Sequence, residues 1–188
     1  MKKLLFFAAI ACLLLLSACG AGTNTSAATD YVPYNEIPEN YTLEAAKADG
    51  LVVYEDYDIT AGQSAWDGFV AETERENTCA VRLLFYYTLE GQGITPAHED
   101  YEEIQDDYPG YYIQDLSFDG AAYTLYWVEG AEEYTRTYDY LKRLEDDTML
   151  RYVLVNDDTV TWDALLNGMF SSRFGDWIDF QTVYVNER

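Results

Sequence analysis

The chain is short of histidine, cysteine and positive charge. Among 188 residues there is one histidine, His98, and there are three cysteines, Cys12, Cys19 and Cys79. A Ser–His–Asp triad would have to be built on His98, and no Gly-x-Ser-x-Gly elbow is present to carry the serine. A zinc centre normally takes three or four ligands from Cys and His, more than the chain supplies beyond its N-terminal segment. No Gly-rich phosphate loop occurs, and no internal repeat is visible. These absences imply no cofactor and no metal. Lysine and arginine total 11 against 34 aspartates and glutamates, a formal charge of -23. Such a surface is repelled by nucleic-acid phosphates and by anionic lipid head groups. The balance excludes nucleic acid as a partner and excludes attachment to lipid by charge. What it favours is solubility and mutual repulsion, or a basic partner or divalent cations.

What is there begins at the N-terminus. Lys2 and Lys3 precede an apolar run from Leu4 to Leu16, the layout of a secretory signal. The run covers only about 20 Å at 1.5 Å per residue, against a bilayer core of about 30 Å. It ends in Leu16-Ser17-Ala18-Cys19, the small-residue pattern before cysteine of a bacterial lipoprotein signal. Residues 1–18 are therefore expected to be removed and Cys19 to carry a diacylglycerol. That would anchor the chain to the extracytoplasmic face of the cell membrane, since two acyl chains give stable attachment where one is marginal. Cys12 leaves with the signal and Cys19 is consumed by lipid. Cys79 then stands alone without a disulfide partner and reads as a small core residue. Residues 19–40 start with Gly20–Thr29, small and polar, and are expected to form a flexible tether. Residues 41–188 are one domain's worth of chain.

Within that domain, Thr42 and Gly50 bracket a short helix as cap and left-handed stop. Leu51–Tyr54 reads as a strand. Ser64-Ala65-Trp66-Asp67 resembles a capping box, and Trp66, Phe69, Val70 and Thr73 share one face of a helix over 64–75. Residues 79–90 read as a long strand, with Leu83, Phe85, Tyr87 and Leu89 on one face and Arg82, Leu84, Tyr86 and Thr88 on the other. Further strands are expected over 111–118, 122–128, 135–144, 151–155 and 178–185, with Asp119-Gly120 as a hairpin turn. Thr161 caps a helix over 161–172 with Trp162, Leu165, Leu166, Met169 and Phe170 on one face. This order predicts an α+β fold: a mainly antiparallel sheet of about six or seven strands, with both main helices on one face.

Several segments resemble their counterparts in small lipoproteins of Clostridia and related gut Firmicutes. They are Tyr41–Gly50, Ser64–Val70, Val81–Leu89, Tyr112–Leu116 and, the longest, Arg151–Trp162. The resemblance spans nearly the whole domain. It implies a single domain at a Gram-positive cell surface. The family has no established activity, so no catalytic residue carries over.

Two features remain as candidate sites. The densest acidic stretch, His98–Asp107, lacks the Asp-x-Asp-x-Asp-Gly order of a calcium loop. Tyrosine occurs 18 times, and its ring and hydroxyl suit contact surfaces. Tyr86 and Tyr126 alternate away from their apolar neighbours and are the candidate ligand-binding residues, although ordinary cross-strand pairing also uses tyrosine. The expectation is a monomeric, tethered, non-enzymatic binding module for an envelope protein, peptide or glycan. The alternatives are a small envelope hydrolase using paired carboxylates some 5–10 Å apart, and an inhibitor or immunity-type protein with a protruding loop over 91–110.

Overall fold

A computed structural model describes residues 31–38, 40–56, 58–173 and 177–187. The signal segment and Cys19 lie outside the described residues. Helix α1 spans Leu43–Ala48, strands β1 and β2 span Val52–Glu55 and Asp58–Ala61, and helix α2 spans Gln63–Thr73. Then come β3 (Cys79–Tyr87), the short α3 (Tyr101–Ile104), β4 (Gly110–Phe118), β5 (Tyr123–Glu129) and β6 (Glu132–Tyr138). The chain closes with β7 (Tyr140–Glu145), β8 (Met149–Val155), α4 (Trp162–Phe170) and β9 (Phe180–Glu187).

The class is α+β. Its strands divide between two sheets, one of six strands in the order β2-β1-β3-β4-β5-β6 and one of three in the order β7-β8-β9. Among the described strands only β1 and β3 pair in parallel, because α2 carries the chain back over the sheet between them. The expected strand over 135–144 is broken at Asp139, whose N–H donates to Asn156 Oδ1 at 3.1 Å. The chain changes sheets there.

The main core lies between the inner face of the large sheet, α2 and the small sheet. It holds Trp66 and Phe69 from α2, Leu83, Leu116 and Leu125 from the large sheet, and Leu154 and Tyr184 from the small one. Trp66 stacks on Tyr184 at 4.9 Å, and the Tyr54 hydroxyl donates to the Val183 carbonyl at 3.0 Å, tying the two sheets together. Trp162 belongs elsewhere. It packs with Leu165, Val153 and Val155 on the far side of the small sheet. The two helices thus cover different sheets, because the chain has two apolar sheet faces to bury rather than one.

A third cluster forms on the outer face of the large sheet. Val53 and Leu84 pack there with Ala46 and Leu51, with Tyr31, Tyr41 and Tyr86 against them. The caps read from the sequence at Thr42 and Thr161 are made, each hydroxyl accepting an N–H three residues on at 3.2 Å. Helix α2 departs from its expected start. Gly62, at φ +78°, is the N-cap, and Gln63 rather than Ser64 engages Asp67.

Candidate functional site

Alternation along β3 places Arg82 in the middle of an apolar strand, and the fold buries it. Register puts Arg82, Asp115, Tyr126 and Thr135 in one row across β3, β4, β5 and β6. The row lies on the outer face. Arg82 Nε and Nη2 donate to the two oxygens of Asp115 at 2.6 and 2.8 Å, a bidentate pair. Nη1 donates to the Val32 carbonyl at 2.6 Å. The rings of Tyr31 and Tyr34 flank the guanidinium with centroids at 5.1 and 4.8 Å. Both contacts fall within cation–π range. The pair, only 5% exposed on the arginine side, therefore pins residues 31–38 onto the sheet.

That segment was expected to belong to the tether. From Tyr31 onward its described residues instead form a docked strap. The reason is aromatic: Tyr31 and Tyr34 lay their rings against a cation that is itself shut off from water.

The strap makes one wall of an open groove of about 1120 Å³. Pro33, Tyr34 and Ile37 stand on the strap side, and Tyr111, Ile113, Tyr126 and Val128 on the sheet side, with Glu133 at the rim. Tyr34 and Tyr126 meet edge to face, centroids 5.2 Å apart at 82°. The Tyr34 hydroxyl donates to the Tyr126 carbonyl at 3.4 Å. Burial, then the charge of Asp115, pushes the Tyr34 phenol far above its ordinary range. The Tyr126 phenol is also raised, by burial and then by the nearby charge of the Glu133 carboxylate. Both stay protonated at neutral pH.

Tyr126 is thus part of the groove. Tyr86 shares its face but sits four residues along β3 from Arg82, about 13 Å at 3.3 Å per residue, and two strands away. It packs beside the cluster under α1, so the two tyrosines do not form one site. The sequence reading missed Tyr34 and the Arg82–Asp115 pair. The signals for them were Tyr31 and Tyr34 ending a run of small polar residues, and an arginine inside an apolar strand.

A second crevice, about 440 Å³, opens between the two sheets. Tyr54, Phe85, Tyr87 and Met149 line it, with Gln114 at its base. Tyr54 and Phe85 are stacked at 4.8 Å.

Carboxylates were the basis of the hydrolase alternative. Glu55, Glu72, Asp119, Asp146 and Asp157 have displaced titration, and all five are displaced downward. Each is held by hydrogen bonds, from Lys47 to Glu55, from Asn77 to Glu72, from backbone N–H groups to Asp119 and Asp146, and from Thr159 to Asp157. A general acid requires the opposite displacement, and none of these five supplies it. Among the described residues, no group of three or more His, Cys, Asp or Glu side chains converges to hold a metal ion. Nor is any helix among them long and apolar enough to cross a membrane.

The fold and groove define an α+β domain with a strap-walled aromatic cleft on one sheet face. The chain matches no known protein family, curated protein or solved structure.

Proposed function

We propose that the protein is a membrane-tethered extracytoplasmic lipoprotein, anchored through lipid on Cys19, that acts as a non-enzymatic binding module. The single observation that carries the binding part is the groove. It is open, long and lined by Tyr34, Tyr111 and Tyr126. The buried ion pair at its floor is satisfied on both sides. That is the surface of a binder for an extended polymer, peptide or glycan, rather than of an acid–base catalyst. The anchoring part rests on the Leu16–Cys19 pattern in the sequence.

Both parts have direct tests. Cys19→Ala should move the protein from the membrane fraction to the soluble one or leave residues 1–18 attached. Unchanged retention with normal processing would refute the anchor. For the groove, peptide and glycan arrays probed with the full chain should yield ligands whose binding is lost in Tyr126→Ala. Turnover of an envelope polymer that disappears in Glu133→Gln would restore the hydrolase reading.

One observation favours a second reading, the inhibitor. The exposed loop between β3 and β4 has a stiff base. Asp56 accepts the Thr88 N–H at 2.7 Å and the Thr88 hydroxyl at 2.8 Å. Gly91 lies so close that a Cβ there would fall 1.8 Å from the Asp56 carboxyl carbon. A loop braced in this way can present residues 92–109 to a partner without reordering them.

A further inference from the structure

Resting on the reading of the groove as a binding site, we infer that its ligand is a cationic peptide, lying extended along β5 with a lysine or arginine side chain beside Tyr126 and Glu133.

The charges decide first. Arg82 is the cation nearest the groove floor, and each of its three nitrogens is engaged. Asp115 takes two of its donors and the Val32 carbonyl a third. Among the described residues of the floor, no positive charge is left to meet an acidic ligand. Glu133, by contrast, is exposed at the rim. Among the described residues, no ion pair includes Glu133 or its neighbour Glu129. Glu129 is partly engaged by the Trp127 indole N–H at 3.1 Å. The uncommitted charge of the groove is therefore negative, and so is the field of the whole chain, with 34 acids against 11 bases. That field steers cations toward the groove and repels anions from it.

Ring geometry at Tyr34 and Tyr126 favours a cation over a sugar. A pyranose stacks its apolar face on a flat aromatic platform. Tyr34 and Tyr126 pack edge to face at 82° and offer no such platform. A compact cation needs only a ring and a carboxylate beside it. The fold already uses the same chemistry one step away, where the Arg82 guanidinium sits over the Tyr34 ring at 4.8 Å.

Shape decides the rest. The cleft, about 1120 Å³, exceeds the roughly 300–1,000 Å³ usual for small-ligand pockets, and it runs open beside the strands. Along the floor Ile113 and Val128 give apolar contacts for alternate side chains of an extended chain.

The test uses the full chain in non-ionic detergent at near-physiological salt. Its probe is an N-acetylated, C-amidated octapeptide alternating lysine and threonine. A matched peptide carries Nε-acetyllysine in place of lysine. The lysine peptide should bind about tenfold tighter or more than the neutral one, each charge-assisted contact being stronger than its neutral counterpart. Glu133→Gln and Tyr126→Ala should each weaken it about fivefold. Tyr126→Phe, which keeps the ring and loses the hydroxyl near Glu133, should fall between Tyr126→Ala and the parent. The pair Glu102→Gln and Glu103→Gln, on α3, removes two distant charges and should change affinity less than twofold.

If the α3 variant weakens binding as much as Glu133→Gln, the attraction is diffuse and the inference is overturned. If the two peptides bind equally but Tyr126→Ala weakens both, the cation is not recognised, while the groove still binds peptide. If Tyr126→Ala affects neither, or the lysine peptide fails to bind at millimolar concentration, the inference falls. In the former case the groove itself is excluded as the peptide site.

Discussion

Arg82 shows how a single residue can hold a distant segment of its own chain against a sheet. Its side chain is buried with Asp115, and breaking one partner of such a pair costs about 3–5 kcal/mol because the other charge stays buried and unpaired. Arg82→Met should therefore destabilise the protein by about that much, read as a shift in the denaturation midpoint. Adding Asp115→Leu removes the stranded charge and should restore most of the loss, since apolar replacements of buried pairs are often near neutral. If the double variant were no more stable than the single one, the pair would be contributing through something other than its burial. Cys79 makes the opposite point. Burial and the charge of Glu72 push its thiol up to about 11, and its Sγ faces the Phe69 carbonyl at 3.7 Å. Reactivity follows the thiolate. In a variant with Cys12 and Cys19 replaced by Ala, thiol labelling at pH 7.5 should be slow in the native state and fast in denaturant. Rapid native labelling would contradict a small core role. That role could be read from one cysteine opening an apolar strand, with no disulfide partner in the domain. The strand position of Arg82 was legible in the same way, but its partner was not, because Asp115 is one acid among many until register aligns β3 with β4.

At the scale of elements, the strap is the part that composition misplaced. Small polar residues argued for a tether, while the rings of Tyr31 and Tyr34 need the fold's own cation to show why they dock. The doubly substituted Arg82→Met, Asp115→Leu protein keeps the core but takes away the donor to Val32 and the charge between the rings. Limited proteolysis should then cut within residues 31–38 far faster than in the parent. Equal protection would mean that the apolar contacts of Tyr31 hold the strap alone. Helix α2 carries a sharper constraint. At Gly62 the backbone is left-handed, and a Cβ would lie 2.2 Å from the Leu51 carbonyl oxygen. Gly62→Ala combines that strain with overpacking and should cost at least about 2 kcal/mol. The helix itself was legible from Trp66, Phe69 and Val70. Its first residue was not, because Ser64 offers the usual capping chemistry and the close approach of β1 is non-local. The break at Asp139 had a faint sequence signal. Strict alternation fails there, because Tyr140 and Leu141 are adjacent and fall on opposite strand faces. Strand β2 had almost none, being four residues long and half exposed.

For the whole molecule, two electrostatic effects of opposite sign compete, and their pH windows differ. A net charge of -23 pushes the compact state apart. Acid relieves that repulsion, and the chain reaches neutrality near pH 4.1. Against this, Asp119, Asp146 and Asp157 hold backbone or side-chain donors in turns, and their folded pKa values lie below the ordinary carboxylate range. A depressed folded pKa stabilises above the unfolded value of about 3.9 and is lost as pH falls through the folded one. Stability should therefore rise as pH drops from 8 toward about 5, where repulsion weakens while the turn carboxylates stay ionised, and then fall steeply below about 4. Salt separates the two effects. Screening at pH 7 weakens both the repulsion and the exposed ion pairs, but such pairs are worth only about 0–1 kcal/mol each. Repulsion summed over the whole surface outweighs them, so 0.5 M sodium chloride should raise the melting temperature at pH 7, by about 2–4 °C for each kcal/mol recovered in a domain of this size. Near pH 4.1 the repulsion has gone, and the same salt should leave the melting temperature nearly unchanged or lower it slightly. A salt-induced drop at pH 7 would mean that specific ion pairs outweigh the acidic excess, and that the anionic field invoked to draw a cationic peptide into the groove is weaker than the composition implies.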